Sequence, residues 1–455
     1  MKDIILKLCV YSMPVLCAAA LSGCSGTAAT FGKEKVQIGI GDWVRDNPVL
    51  TENKEVFEKE HSDTEIVPYT YVFSLKTFYD MAENKKLPDL CRVPFTEMNK
   101  VIERGYAADM SEELDKADWS MYMNPELKEI VSDSEGHIYG VPSEVYAQGL
   151  YINKDLFRQA GLTDEQGNIL YPKTLDEMAQ YAAQVHERTG KAGFAIPTLD
   201  NCGGWHFLNI AWNFGTEFIE KQGDGSYRAV FDTDETAAAL QYVKDLKWKY
   251  NALPDISDIN LEKLRELFVT GEAAMMISAP QSFNPEKYGM LKDDIMLVGV
   301  PAGPGGSFAQ MGGTAYIAVN DSTPKQIERM LDWIGFVGRG PYMDEYQYTH
   351  LENEMKKRRD EGTTIIYRNV LELWLNEEVN RKKQEIREKY CNVDPRDYDE
   401  YYKFSGIQIR PEPEVHCQDL YSVLDKCIMQ VITDKNADVK ALIKNANEEF
   451  QSKYL

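Results

Sequence analysis

"GHIYGVPSEVYAQGLYINKDLFRQAGL", Gly136 to Leu162, holds a turn, two strand-like runs and the start of a helix. Its middle, Pro142 to Gly149, follows neither the two-residue period of a strand face nor the helical period. A chain that leaves one strand, passes through small and aromatic residues and enters another is expected to cross between two lobes. A ligand is expected where it crosses.

On either side, strand patterns alternate with helical ones. "KVQIGIGDW" (35–43) opens with alternating apolar residues, "ENKEVFEKEH" follows as a helix, and "TEIVPYTYV" is the second strand. "SLKTFYDMAENKKLPDLCRVP" predicts helix, turn and a short buried strand. Downstream, Thr174 and Glu177 have capping-box spacing, "KAGFAIP" predicts a strand, and "HFLNIAWNFG" and "DTDETAAALQYVKDLKWKY" predict helices. "LEKLRELFVTGEAAMMISAP" predicts helix then strand, and Pro324 opens a further helix. This alternation predicts an α/β fold. From Gly340 to about Pro413 the chain becomes more charged, with long helical stretches and the tyrosine-rich "NVDPRDYDEYYKF"; a helical hairpin ends it.

The N-terminus "MKDIILKLCVYSMPVLCAAALSGC" has basic residues, a short apolar run and small residues before Cys24, the marks of a secretory signal. Its "LSGC" resembles the bacterial lipobox, which implies removal of residues 1–23, lipid on Cys24 and a tether over 24–34. About 430 residues then remain, more than one typical core, so two lobes are expected. The 73 acidic residues against 50 basic ones make nucleic acid and anionic membrane surfaces poor partners. Cys91, Cys202, Cys391, Cys417 and Cys427 are odd in number and scattered, which does not suit a disulfide framework.

Catalytic motifs are missing. There is no Gly-x-Ser-x-Gly, "HERTG" carries Gly190 where a zinc helix needs a second histidine, and "GPGG" lacks the Lys-Ser/Thr of a phosphate loop. No catalytic residue, metal ligand or cofactor is therefore expected. Two carboxylates brought together from distant positions, as in glycoside hydrolysis, remain an open rival. Aromatic residues at strand ends and in loops (Trp43, Tyr146, Trp205, Trp212, Tyr316) offer flat faces to sugar C–H groups, and Asp42, Glu144 and Gln148 lie beside them as hydroxyl partners.

The quoted stretch with "YPKTLDEM", then "LFVTGEAAMMISAP", "VGVPAGPGG" and "GGTAYIAVN", resembles the extracellular solute-binding proteins of ABC importers, in the group that includes maltose-binding protein. The resemblance implies a two-lobed periplasmic-binding-protein fold of type II with a helical C-terminal extension. It implies one lobe from 35–141 plus about 282–318. The other is implied from about 146–278 plus about 322–455, including the charged insertion at about 340–413. Crossings are implied at Pro142–Gly149, Ala279–Phe283 and Tyr316–Asp321. The implied cleft residues are Trp43, Asp89, Arg92, Tyr146, Trp205, Gln281, Gly313 and Thr314, to which the local chemistry adds Asp42, Glu144 and Tyr316. Gln281 stands where many sugar binders have tryptophan, a departure from maltodextrin binders. The implied ligand is a carbohydrate, and the implied partners are ABC permease subunits and a membrane reached through the Cys24 lipid. A monomer on the outer face of a Gram-positive cell is implied, without nucleic acid. The rivals are the same fold holding a peptide or other small metabolite, and a surface polysaccharide-degrading enzyme.

Overall fold

The computed structural model describes residues 35–41, 48–71, 73–279, 290–366, 371–403 and 406–455. Asp42, Trp43, Gln281 and Cys24, with the signal and tether segments, lie outside the described residues. The strands are β1 (Val36–Ile40), β2 (Thr64–Pro68), β3 (Leu90–Pro94), β4 (Val141–Ala147), β5 (Gly149–Asn153) and β6 (Ile219–Lys221). They continue as β7 (Tyr227–Ala229), β8 (Met275–Ser278), β9 (Ile295–Val298), β10 (Phe308–Ala318) and β11 (Gln408–Pro411).

Two sheets organise two lobes. In the first, the order is β11-β10-β3-β1-β2, with β4 also pairing to β10. β1 runs parallel to β2 and β3, while β10 runs antiparallel to β3 and β4. Its core gathers Ile38, Phe57, Ile66, Phe78, Val93 and Ile317. The second lobe is built on β8-β5-β9, all antiparallel. Side chains alternate across this sheet as the pleat requires. Leu150, Ile152, Met275 and Ile277 enter one core, and Tyr151, Met276 and Leu297 enter a second core on the opposite face. A sheet buried on both faces explains why β5 and β8 are apolar over most of their length, with polar residues only at their ends, Asn153 and Ser278.

The structure revises the implied lobe boundaries. The chain leaves β8 in the second lobe and, beyond residues 280–289, resumes there with Met290 and β9. Residues 295–298 therefore belong with the second lobe, although 282–318 was expected in the first. The return is made by β10, whose Ala309 packs in the second-lobe core and Met311 in the first-lobe core. Past β10, the helix Pro324–Phe336 buries Ile327, Met330 and Trp333 in the first lobe, so no crossing occurs at Tyr316–Asp321. "KAGFAIP" forms only isolated bridges, Ala192 to Ala273 and Ala195 to Met276.

The charged insertion makes the next passage. Its two long helices are Glu345–Asp360 and Glu377–Tyr390, followed by the short helix Asp399–Lys403. Trp374, between the two long helices, sits in the first-lobe core edge-on to Trp119 at 5.4 Å. Tyr398, Tyr401 and Tyr402 then pack in the second lobe, and β11 joins β10 in parallel. Cys417 and Cys427 are buried, unpaired core residues.

Candidate functional site

A cavity of about 210 Å³ opens between the lobes where β4 and β10 run side by side. The first lobe supplies Pro94, Thr96 and Gly313. From the other side come Trp205 and Cys202 on the helix Cys202–Phe214, and Gln418 and Tyr421 on the helix Cys417–Thr433. Tyr146 on β4 and Glu412, just past β11, complete its deep wall. Across it, the Gln418 side-chain amide donates to the Thr96 hydroxyl at 3.4 Å. A larger cavity of about 420 Å³ is lined by Ile196, Trp248 and Ile432 of the second lobe and takes no residue from the first.

Local packing dictates these positions. A Cβ on Gly313 would lie 2.2 Å from the Glu144 carbonyl oxygen and 2.4 Å from the Phe95 ring, so only glycine fits there. One on Gly204 would meet the Tyr421 backbone at 2.4 Å; its absence lets the two second-lobe helices touch and brings Trp205 beside Tyr421. Asp425 caps the start of the helix that carries Trp205. Its carboxylate accepts N–H bonds from Gly204 at 2.7 Å and Asn201 at 2.8 Å. Burial pushes its pKa up to about 6, against the pull of those donors.

A buried amide chain ties the crossing to the cavity. Gln148, Asn209 and Gln310 are fully buried. The Asn209 amide donates to Gln148 Oε1 at 2.8 Å, and the Gln310 backbone N–H donates to Asn209 Oδ1 at 3.0 Å. Gln310 Nε2 donates to Glu412 Oε1 at 2.9 Å, and the Tyr421 hydroxyl donates to the same oxygen at 2.7 Å. Burial pushes the Glu412 carboxyl up to about 7, while its bonds to Tyr421, Gln310 and Trp205 hold it back. Tyr146 stands edge-on to Trp205 with ring centres 6.4 Å apart, and burial raises its phenol, with the Glu412 and Glu144 charges adding to the effect. The Cys202 thiol is pushed up to about 11, chiefly by burial, so it stays protonated and a poor nucleophile.

Of the residues anticipated from sequence, the structure brings Tyr146, Trp205 and Gly313 to this cavity. It places others elsewhere. Asp89 accepts the Gly39 N–H and fastens β3 to β1. Arg92 and Tyr316 face each other in the β3–β10 register, with the Arg339 guanidinium 5.9 Å from the Tyr316 ring. Glu144 lies opposite Thr314, whose hydroxyl bonds that of Ser143 at 2.8 Å. In a neighbouring cavity Arg410, not among the anticipated residues, stacks over Trp212 at 4.8 Å and bonds Glu217. Glu412, Tyr421, Gln418, Thr96 and Asp200 were not anticipated. Among the described residues, no three His, Cys, Asp or Glu side chains are placed to hold a metal ion.

The family model described as bacterial extracellular solute-binding protein matches residues 45–337. The chain belongs to that family. The arabinooligosaccharide-binding protein of Halalkalibacterium halodurans is 25% identical to this solute-binding protein over 202 residues, 43% of this chain and 42% of that one. Among solved structures, an ABC substrate-binding protein from Listeria monocytogenes in complex with cycloalternan superposes with a TM-score of 0.69 at 17% identity, over 92% of this chain and 99% of that one. UgpB from Mycobacterium tuberculosis, in complex with glycerophosphocholine, also superposes with a TM-score of 0.69, at 14% identity, over 92% and 98%. These neighbours share the two-lobed fold, and the family is that of bacterial extracellular solute-binding proteins.

Proposed function

We propose that this solute-binding protein captures a neutral oligosaccharide by one end in the interlobe cavity, does no chemistry on it, and delivers it to an ABC permease while anchored through lipid on Cys24. The observation that carries this reading is the lining itself. Trp205 and Tyr146 present aromatic surface beside the Glu412 and Asp200 carboxylates, the Asn201 and Gln418 amides and the Tyr421 hydroxyl. Rings take the C–H faces of a sugar and the polar groups take its hydroxyls. The cavity volume, about 210 Å³, is below the roughly 300–1,000 Å³ of pockets that enclose a whole small molecule, so it suits a terminal sugar with the rest of the chain outside. Trp43, Asp42 and Gln281 are proposed to continue the site.

The likeness to a glycerophosphocholine-bound neighbour raises a second reading, a phosphodiester. Among the described residues the lining carries two carboxylates and no Lys, Arg or His, which opposes an anionic ligand. A thermal-shift screen of the purified protein separates the two. An oligosaccharide at about 100 times its dissociation constant should add about 2.7 kcal/mol to the folded state. Trp205→Ala should abolish that shift. A shift with glycerophosphocholine and none with any sugar would overturn the carbohydrate reading.

A further inference from the structure

A further cavity, of about 240 Å³, lies at the outer side of the first lobe, under the insertion. It is enclosed by the end of the helix Pro324–Phe336 and by the two long insertion helices. The helix Glu377–Tyr390 sends Lys383 and Arg387, one turn apart, into this space. The other cations of that helix are paired. Arg381 meets Glu385 at 2.5 Å, Lys382 meets Glu378 at 3.5 Å, and Lys389 meets Glu352. Lys383 and Arg387 differ: among the described residues neither makes an ion pair or a hydrogen bond. The carboxylates that reach them electrostatically are Glu354 and Glu372, and Arg358 adds a further positive charge. Burial and mutual repulsion lower the Lys383 ammonium to about 8, and burial likewise lowers Arg387.

Lys383 and Arg387 are half-buried; two adjacent like charges partly withdrawn from water without an ion-pair partner are costly, and a counter-charge relieves the cost. The remaining wall is mixed: Tyr346, Met343 and Leu351 give it an apolar patch, and Asn53, Arg339, Gln347, His350 and Glu354 add polar and charged groups. The space falls short of the roughly 300–1,000 Å³ that encloses a whole drug-sized ligand, so it holds no more than a small molecule or one end of a larger one. We propose that this cavity is an anion site separate from the interlobe cleft. It takes a small organic oxyanion, with the charged head on Lys383 and Arg387 and the apolar body against Tyr346, Met343 and Leu351.

Calorimetric titration of the purified protein with benzoate, inorganic phosphate and sulfate, at constant ionic strength against chloride, tests this. Saturable binding of benzoate is expected. It should weaken at least tenfold in Arg387→Met and tighten several-fold in Glu354→Gln, which removes the opposing charge on the cavity wall. No saturable binding of any probe would overturn the site, as would equal affinity in Arg387→Met. Glu354→Gln, a conservative change that tests the same field without depending on the arginine, would overturn it if affinity stayed the same. Binding of phosphate or sulfate with benzoate excluded would overturn the organic part of the assignment.

Discussion

Glu412 carries a carboxyl that is harder to ionise in the folded chain than out of it. Its pKa rises from 4.5 to about 7 because burial outweighs the bonds from Tyr421, Gln310 and Trp205. Between those two values the folded state keeps a proton that the unfolded chain has lost, so Glu412 lowers stability as pH climbs, by up to about 1.4 kcal/mol per pH unit. Its favourable contribution is complete below 4.5 and is lost through 7. His206 works the other way: buried and neutral, with a pKa lowered to about 4, it costs stability as pH falls from 6.5. Glu412→Gln should therefore gain stability relative to the parent as pH rises from 4.5 to 7, read as a widening gap between melting temperatures. A constant gap would mean that Glu412 ionises as freely in the fold as in water. The residue was illegible in the sequence because it lies in the insertion, far from the family's recognisable blocks, and reaches the cavity only because β11 pairs with β10. Tyr146, Trp205 and Gly313 were legible because local motifs marked them. Thr314 was read together with Gly313, yet neighbours on a strand point to opposite faces.

At the scale of elements, local chemistry was read well and partnership less so. Thr174 does cap the helix Leu175–Thr189, accepting from the Glu177 N–H at 3.1 Å, but the Glu177 carboxylate accepts the Lys173 N–H rather than closing the expected box on Thr174. Pro324 opens its helix as expected, behind a Thr323 cap. That this helix belongs to the first lobe rests on contacts with distant residues, which periodicity does not encode. The insertion is the clearest case: its two long helices were legible as charged helical stretches, but nothing local shows that it bridges both lobes. Trp374 holds one end, buried beside Trp119 with its indole N–H donating to the Arg339 carbonyl at 2.8 Å. Tyr401 holds the other, donating to the Ala147 carbonyl at 2.7 Å. Trp374→Ala should cost about 3–5 kcal/mol in urea unfolding. A loss under about 1 kcal/mol would show that the insertion is not fastened there.

For the whole molecule, β4 leading into β5, the long strand β10, and the insertion connect the lobes. A ligand that touches both sides should favour a more compact arrangement, because it binds that arrangement better than the open one. Small-angle scattering should show the radius of gyration falling when a saturating sugar is added, and Trp205→Ala should remove that change. An unchanged radius with bound sugar would count against closure.

β10 and Trp374 also set a timetable. The first-lobe core draws on Ile38 and Ile40 near the start, on Ile317 and Trp333 far downstream, and on Trp374 beyond them. At about 5–20 residues per second, a ribosome needs about 20 to 75 seconds to reach Trp374. The second-lobe core runs from Leu150 to Phe450, almost to the last residue. Neither lobe can complete its interior early in synthesis, and contacts this distant in sequence form slowly. The interleaving that builds the cleft thus leaves the nascent chain threadable for most of its synthesis, the state in which a polypeptide passes through a narrow export channel.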